Sequence, residues 1–86
     1  MNDDEILREI RGSDAERLLL ALVAATGPLG PSSAATALET DVRSALAADQ
    51  RLEELGLVSP DKRAVHSIEL TSRGRGVAAR VSQSRT

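Results

Sequence analysis

The heptapeptide Leu52-Glu53-Glu54-Leu55-Gly56-Leu57-Val58 limits the folds open to this chain more than any other stretch. An amphipathic helix that reaches Leu55 meets a glycine, the residue that most readily takes the left-handed conformation closing a helix. The residues just beyond the glycine are apolar, so the chain leaves the helix as a strand. Leu57, Val58 and Ser59 read as that strand, and Pro60-Asp61-Lys62-Arg63 as the turn behind it. Ala64 to Leu70 alternates, with His66, Ile68 and Leu70 on one face and Val65, Ser67 and Glu69 on the other. Thr71 then offers a hydroxyl to cap a last helix, whose Gly74, Val77, Ala78 and Val81 fall at i, i+3, i+4, i+7.

Upstream, the same signals mark three more helices. Ile6, Leu7 and Ile10 have helical spacing between Asp3 and Arg11. Gly12-Ser13 interrupts them, and Ser13 with Glu16 three residues on forms a capping box, so a new helix starts at Asp14. Leu18, Leu19, Leu20, Leu22 and Val23 make that helix apolar nearly all round, as a central helix is. It stops before Gly27-Pro28. Pro31, Ser32 and Ser33 open a short helix with Ala34, Ala35 and Leu38 as its stripe, ending at Glu39 or Thr40. Asp41 is the N-cap of the next, which Val42 opens and Gly56 closes. The chain is thus mainly α with a small β-hairpin. It divides into an N-terminal helical extension (1–12), one domain (13–82) and a tail (83–86).

Composition excludes much. The 86 residues hold no Cys, Phe, Tyr or Trp. Disulfides, thiol nucleophiles and zinc fingers are out, and a reducing, cytoplasmic setting is natural. The core must be built from Leu, Val, Ile and Ala alone. Without aromatic platforms, single-stranded nucleic acid and RNA-sheet recognition are disfavoured. No apolar run approaches the ~18 residues of a membrane span, and Met1 to Glu5 is acidic where a signal peptide is basic. One His, no Gly-rich phosphate loop and no carboxylate–His cluster at metal spacing leave no catalytic set, metal site or cofactor site to expect. So small a core gives no reason to expect a roomy pocket.

The net charge of −2 hides an asymmetry. Residues 1–60 carry five arginines against eleven carboxylates, a balance of −6, whereas residues 61–86 carry six cations against two carboxylates, a balance of +4. A field of one sign at one end steers a polyanion even on a mildly acidic molecule. The plainer reading is a solvated basic end.

The order of helix, short helix, tight turn, longer helix, hairpin and helix resembles the winged helix-turn-helix domains of MarR-like transcription regulators. The resemblance spans residues 14–78, about three quarters of the chain. Ala34-Ala35-Thr36-Ala37-Leu38 matches the first helix of the motif and Asp41 to Leu55 the recognition helix. Leu55-Gly56-Leu57-Val58 matches its exit, and Ile68-Glu69-Leu70-Thr71 the return strand of the wing. The resemblance implies sequence-specific binding of double-stranded DNA by a homodimer, each copy placing one helix in the major groove about one helical turn from the other.

At about 100° per residue, Ala45, Ala48, Leu52 and Leu55 share the core side of that helix. Arg43, Ala47 and Gln50 lie opposite, flanked by Leu46. Arg suits guanine and Gln adenine, Ala47 admits close approach, and Leu46 suits a thymine methyl. Ser44 and Arg51 sit nearer the edges, where phosphates pass. Lys62 and Arg63 at the hairpin tip can straddle phosphates or enter a narrow minor groove, or simply blunt a sheet edge. Arg73 and Arg75 can add a phosphate contact, face solvent or pair with Glu69. Asp49, at the margin of the buried face, needs solvent or a partner such as Arg17. His66 is more often structural than a pH switch. The alternative function is a winged helix that docks a protein through Leu46, Ala47 and the N-terminal helix. The apolar stripes of the N-terminal and last helices are the surfaces expected to pair across a two-fold axis.

Overall fold

The computed structural model describes residues 2–25, 27–60 and 67–84. Within them the elements run α1 (Asp3–Ile10), α2 (Asp14–Ala25), α3 (Pro31–Leu38), α4 (Val42–Glu54), β1 (Val58–Pro60), β2 (Ile68–Leu70) and α5 (Ser72–Ser84). Local chemistry sets their ends. The Asn2 side chain accepts the Glu5 N–H at 2.9 Å to start α1. Pro31 takes the first position of α3 behind Gly30, where its missing N–H is no loss. Only half of the expected capping box forms at α2: the Glu16 N–H reaches Ser13 Oγ at 3.5 Å, while the Ser13 N–H donates to the Ile10 carbonyl at 3.0 Å.

The exit from α4 closes as a Schellman turn. Gly56 has φ +76°; its N–H donates to the Glu53 carbonyl, and the Leu57 N–H to the Leu52 carbonyl, each at 3.0 Å. Leu57 therefore belongs to the helix exit and β1 begins one residue later than the apolar run suggests. The strands are antiparallel, with Val58 opposite Leu70 and Pro60 opposite Ile68. Pro60 is tolerable there because β1 has β2 on one side only. The other side of β2 takes a single rung from Leu29, which exchanges both backbone bonds with Ile68 (3.0 and 2.9 Å). No alternation announces that one-residue pairing, so the sequence does not reveal it.

Helix α2 is the hub, packed against every other helix and β2. Leu18, Leu19 and Leu22 are buried at its centre with Leu38 of α3, Leu52 of α4 and Val77 of α5. Ile6 and Ile10 of α1 enter the same core, as does Val81 of α5. The apolar stripes of α1 and α5, expected to pair across a two-fold axis, are thus largely taken up by the chain's own core, with Leu7 only partly buried. Helix α5 also continues to Ser84, two residues into the stretch read as tail from residue 83.

Thr71 joins the wing to α5. Its hydroxyl donates to the Gly56 carbonyl at 2.8 Å and accepts the Gly74 N–H at 3.0 Å, while its own N–H donates to the Leu57 carbonyl at 3.0 Å. Helix α5 lies so close to the α4 exit that a Cβ on Gly74 would fall 1.9 Å from the Leu57 carbonyl oxygen.

Candidate nucleic-acid interface

The uncovered side of α4 is built from its N-terminus. The Asp41 side chain accepts the Ser44 N–H at 2.8 Å. That backbone bond, helped by the Ser44 side chain, holds the Asp41 carboxyl below its ordinary range. Ser44 is thus half-buried and engaged in the cap. Arg43, Ala47 and Gln50 are all exposed. From Val42 to Ala48 the helix carries no carboxylate, so the only side-chain charge on its first two turns is Arg43. Val42 and Leu46 add apolar surface beside it, 42 and 46 % exposed. Sequence reasoning missed Val42 as part of this face, although the same 100° count places it next to Leu46.

Behind this face, α3 is tied to α2. Arg17 donates from Nη2 to the Leu38 carbonyl at 2.7 Å, satisfying one of the last carbonyls of α3, and meets Asp14 at 3.3 Å. Asp49 is therefore not its partner. The Asp49 Oδ1 atom is buried with no hydrogen-bond partner among the described residues, beside a cavity of about 10 Å³ lined by Leu29, Pro31, Ala34, Leu46 and Ile68 among others. Burial pushes its carboxyl up to about 6, with the Glu53 charge adding to the effect.

Arg51 is half-buried at the far end of the face and turned toward carboxylates: Nη2 meets Glu9 of α1, and Nη1 lies 3.4 Å from Glu54. Nothing in the sequence signals the Glu9 contact, which joins residues 42 apart. Lys62, Arg63 and His66 lie outside the described residues. Arg73 lies 3.7 Å from Asp3. Arg75 lines a groove of about 500 Å³ between α2, β2 and α5, walled by Leu22, Val23, Leu70 and Ala78. That groove corrects the expectation that so small a core leaves no room for a pocket. Among the described residues no group of His, Asp and Glu side chains is placed to hold a metal ion, and no helix is long and apolar enough to cross a membrane.

Three helices, a tight turn between α3 and α4, and a two-stranded wing returning to α5 define a winged helix-turn-helix of MarR-like form. Solved structures agree. A MarR family protein from Bacillus stearothermophilus superimposes with a TM-score of 0.71 at 21 % identity, over 96 % of this chain and 60 % of that one. A MarR family transcriptional regulator from Silicibacter pomeroyi gives 0.68 at 22 % identity, over 94 % and 59 %. A MarR family protein of Mycobacterium tuberculosis, solved with salicylic acid, gives 0.66 at 22 % identity, over 90 % and 60 %. The chain spans about 60 % of the length of these structures. No family model matches the sequence. No curated protein matches it either.

Proposed function

We propose that this protein binds double-stranded DNA and regulates transcription, working in the cytoplasm as a homodimer. The observation that carries the reading is the bare first half of α4: Arg43, Ala47 and Gln50 stand exposed on a helix anchored to the core, with no carboxylate among Val42 to Ala48. In the major groove, Arg43 bonds the O6 and N7 acceptors of guanine, Gln50 the edge of adenine, and Leu46 meets a thymine methyl. On this reading the phosphate contacts fall to Ser44, Arg51, Lys62 and Arg63. The MarR-like form supports the same reading.

A titration of duplex DNA across salt tests this. Arg43→Ala should weaken a preferred sequence by about tenfold or more and relax the choice of base at one position. Lys62→Ala with Arg63→Ala should weaken all sequences alike and flatten the log–log salt slope by about 2. Absence of duplex binding at about 50 mM salt, where phosphate contacts are strongest, would refute the reading. The second reading, a protein-docking winged helix, is favoured by the exposed Val42 and Leu46. It expects binding to a protein partner that survives removal of Lys62 and Arg63.

A further inference from the structure

Helix α1 carries Asp3, Asp4, Glu5 and Glu9 against one arginine. Three of those carboxylates meet arginines of two other helices. Glu9 meets Arg51 of α4. Asp4 lies 2.8 Å from Arg80 of α5, and Asp3 lies 3.7 Å from Arg73 and 3.9 Å from Arg80. The placement is fixed rather than casual, because Ile6 and Ile10 lock α1 into the core at about 1 % exposure. Exposed ion pairs of this kind add little to stability. Their larger consequence is on charge: a guanidinium held by carboxylate is not free to hold phosphate, since both anions seek the same forked donors.

We propose that Glu9 limits the affinity of the α4 face for polyanions by occupying Arg51 as an internal substitute for phosphate. The assignment rests on the DNA-binding reading for its biological partner, though the masking itself does not require it. Arg51 lies about 80° around α4 and about 12 Å along its axis from Arg43, in the last turn of the helix beyond the bare first half. Its pairing with Glu54 comes from its own helix. Its pairing with Glu9 is imposed by α1, so removing the Glu9 charge leaves Arg51 with Glu54 alone and does not alter α4. The wild-type protein then binds polyanions more weakly than a variant that lacks the Glu9 charge.

The test compares Glu9→Gln with Glu5→Gln, which removes the same charge from an exposed position of the same helix, using a short random-sequence duplex. Glu9→Gln should bind several-fold more tightly than Glu5→Gln at low salt. Its log–log salt slope should be steeper by up to about 0.9, so the gain shrinks by up to roughly 3.5-fold between about 50 and 200 mM. In an Arg51→Gln background the two substitutions should become equivalent. Equal effects of Glu9→Gln and Glu5→Gln, or a Glu9→Gln effect that persists without Arg51, would overturn the proposal. Elution from heparin separates the two readings. If no variant binds duplex but Glu9→Gln leaves heparin at higher salt than Glu5→Gln, masking stands and the DNA reading falls. If these two variants also co-elute from heparin, the masking falls as well.

Discussion

Two left-handed turns bracket α4 and have the same hydrogen-bond pattern with different residues. At the exit, Gly56 holds φ +76°. At the approach, Glu39 holds φ +55° and ψ +44°. Its N–H donates to the Thr36 carbonyl at 3.1 Å and the Thr40 N–H to the Ala35 carbonyl at 3.0 Å. The exit is therefore relaxed, because glycine has no Cβ to strain. The approach is strained, because a left-handed L-residue costs roughly 1–2 kcal/mol, and a carboxylate at the end of α3 also opposes the helix dipole. The helix carrying the candidate DNA contacts is thus tightly anchored where it leads to the wing. It is less comfortably anchored where it leaves α3.

The exit is also where space, rather than backbone conformation, is most limiting, and the largest effect is expected there. Gly74→Ala places a Cβ 1.9 Å from the Leu57 carbonyl oxygen and 2.9 Å from its carbon. Alanine gains about 1 kcal/mol in helix propensity, but backbone cannot yield as a side chain does, so a net loss of about 3 kcal/mol or more is expected. In a domain this small that is a large share of the margin. Gly76→Ala, two residues on in the same helix, meets open space and should gain up to about 1 kcal/mol. Urea midpoints of the two variants must move in opposite directions; a harmless Gly74→Ala would show that the close approach of α5 to Leu57 does not hold.

A reciprocal pair then breaks or sharpens the contrast between the two turns. A Cβ on Gly56 meets no atom within 4 Å, so Gly56→Ala isolates conformation and should cost about 1 kcal/mol. Glu39→Gly should do the reverse. It removes the left-handed strain and the charge at the end of α3 while surrendering unfolded-state entropy, for a gain of up to about 1 kcal/mol. If Glu39→Gly lowers the urea midpoint instead, the approach is not the strained end.

These sites also show what the sequence can and cannot disclose. Gly56 was legible because an apolar run on each side leaves a glycine one natural role, and Asp41 and Thr71 because capping is local chemistry. The core stripes of α2 and α4 came from period alone, as did the exposure of Arg43 and Gln50. Glu39 was not legible, since nothing local tells a glutamate to turn left-handed; the helix-turn-helix geometry imposes it. Gly74 reads as one more member of an apolar stripe until β1 and α5 are in place. The Leu29 rung and the Glu9–Arg51 pair likewise exist only once distant segments meet. Helical phase gives direction around one helix, and says nothing of which neighbour lies there.

Between its two ends α4 carries a third kind of stress, electrostatic rather than conformational. The Asp49 carboxyl is pushed up to about 6 by burial and by Glu53. In the unfolded chain it titrates near 3.8, so between those values the folded state binds more protons than the unfolded one. Stability contributed by this group is therefore greatest at low pH and declines as pH rises from about 4 through about 6. Asp41 works in the opposite sense: its carboxyl is lowered, so its contribution is lost only as pH falls below the ordinary carboxylate range. Asp49→Asn keeps the shape and removes the charge. Measured by urea unfolding, its advantage over the parent should be clear at about pH 7 and shrink at about pH 4.5. Taking the difference between the two proteins cancels titrations they share. An advantage that does not vary between those pH values would mean that Asp49 is solvated well enough to ionise freely, and α4 would then be stressed at its approach alone.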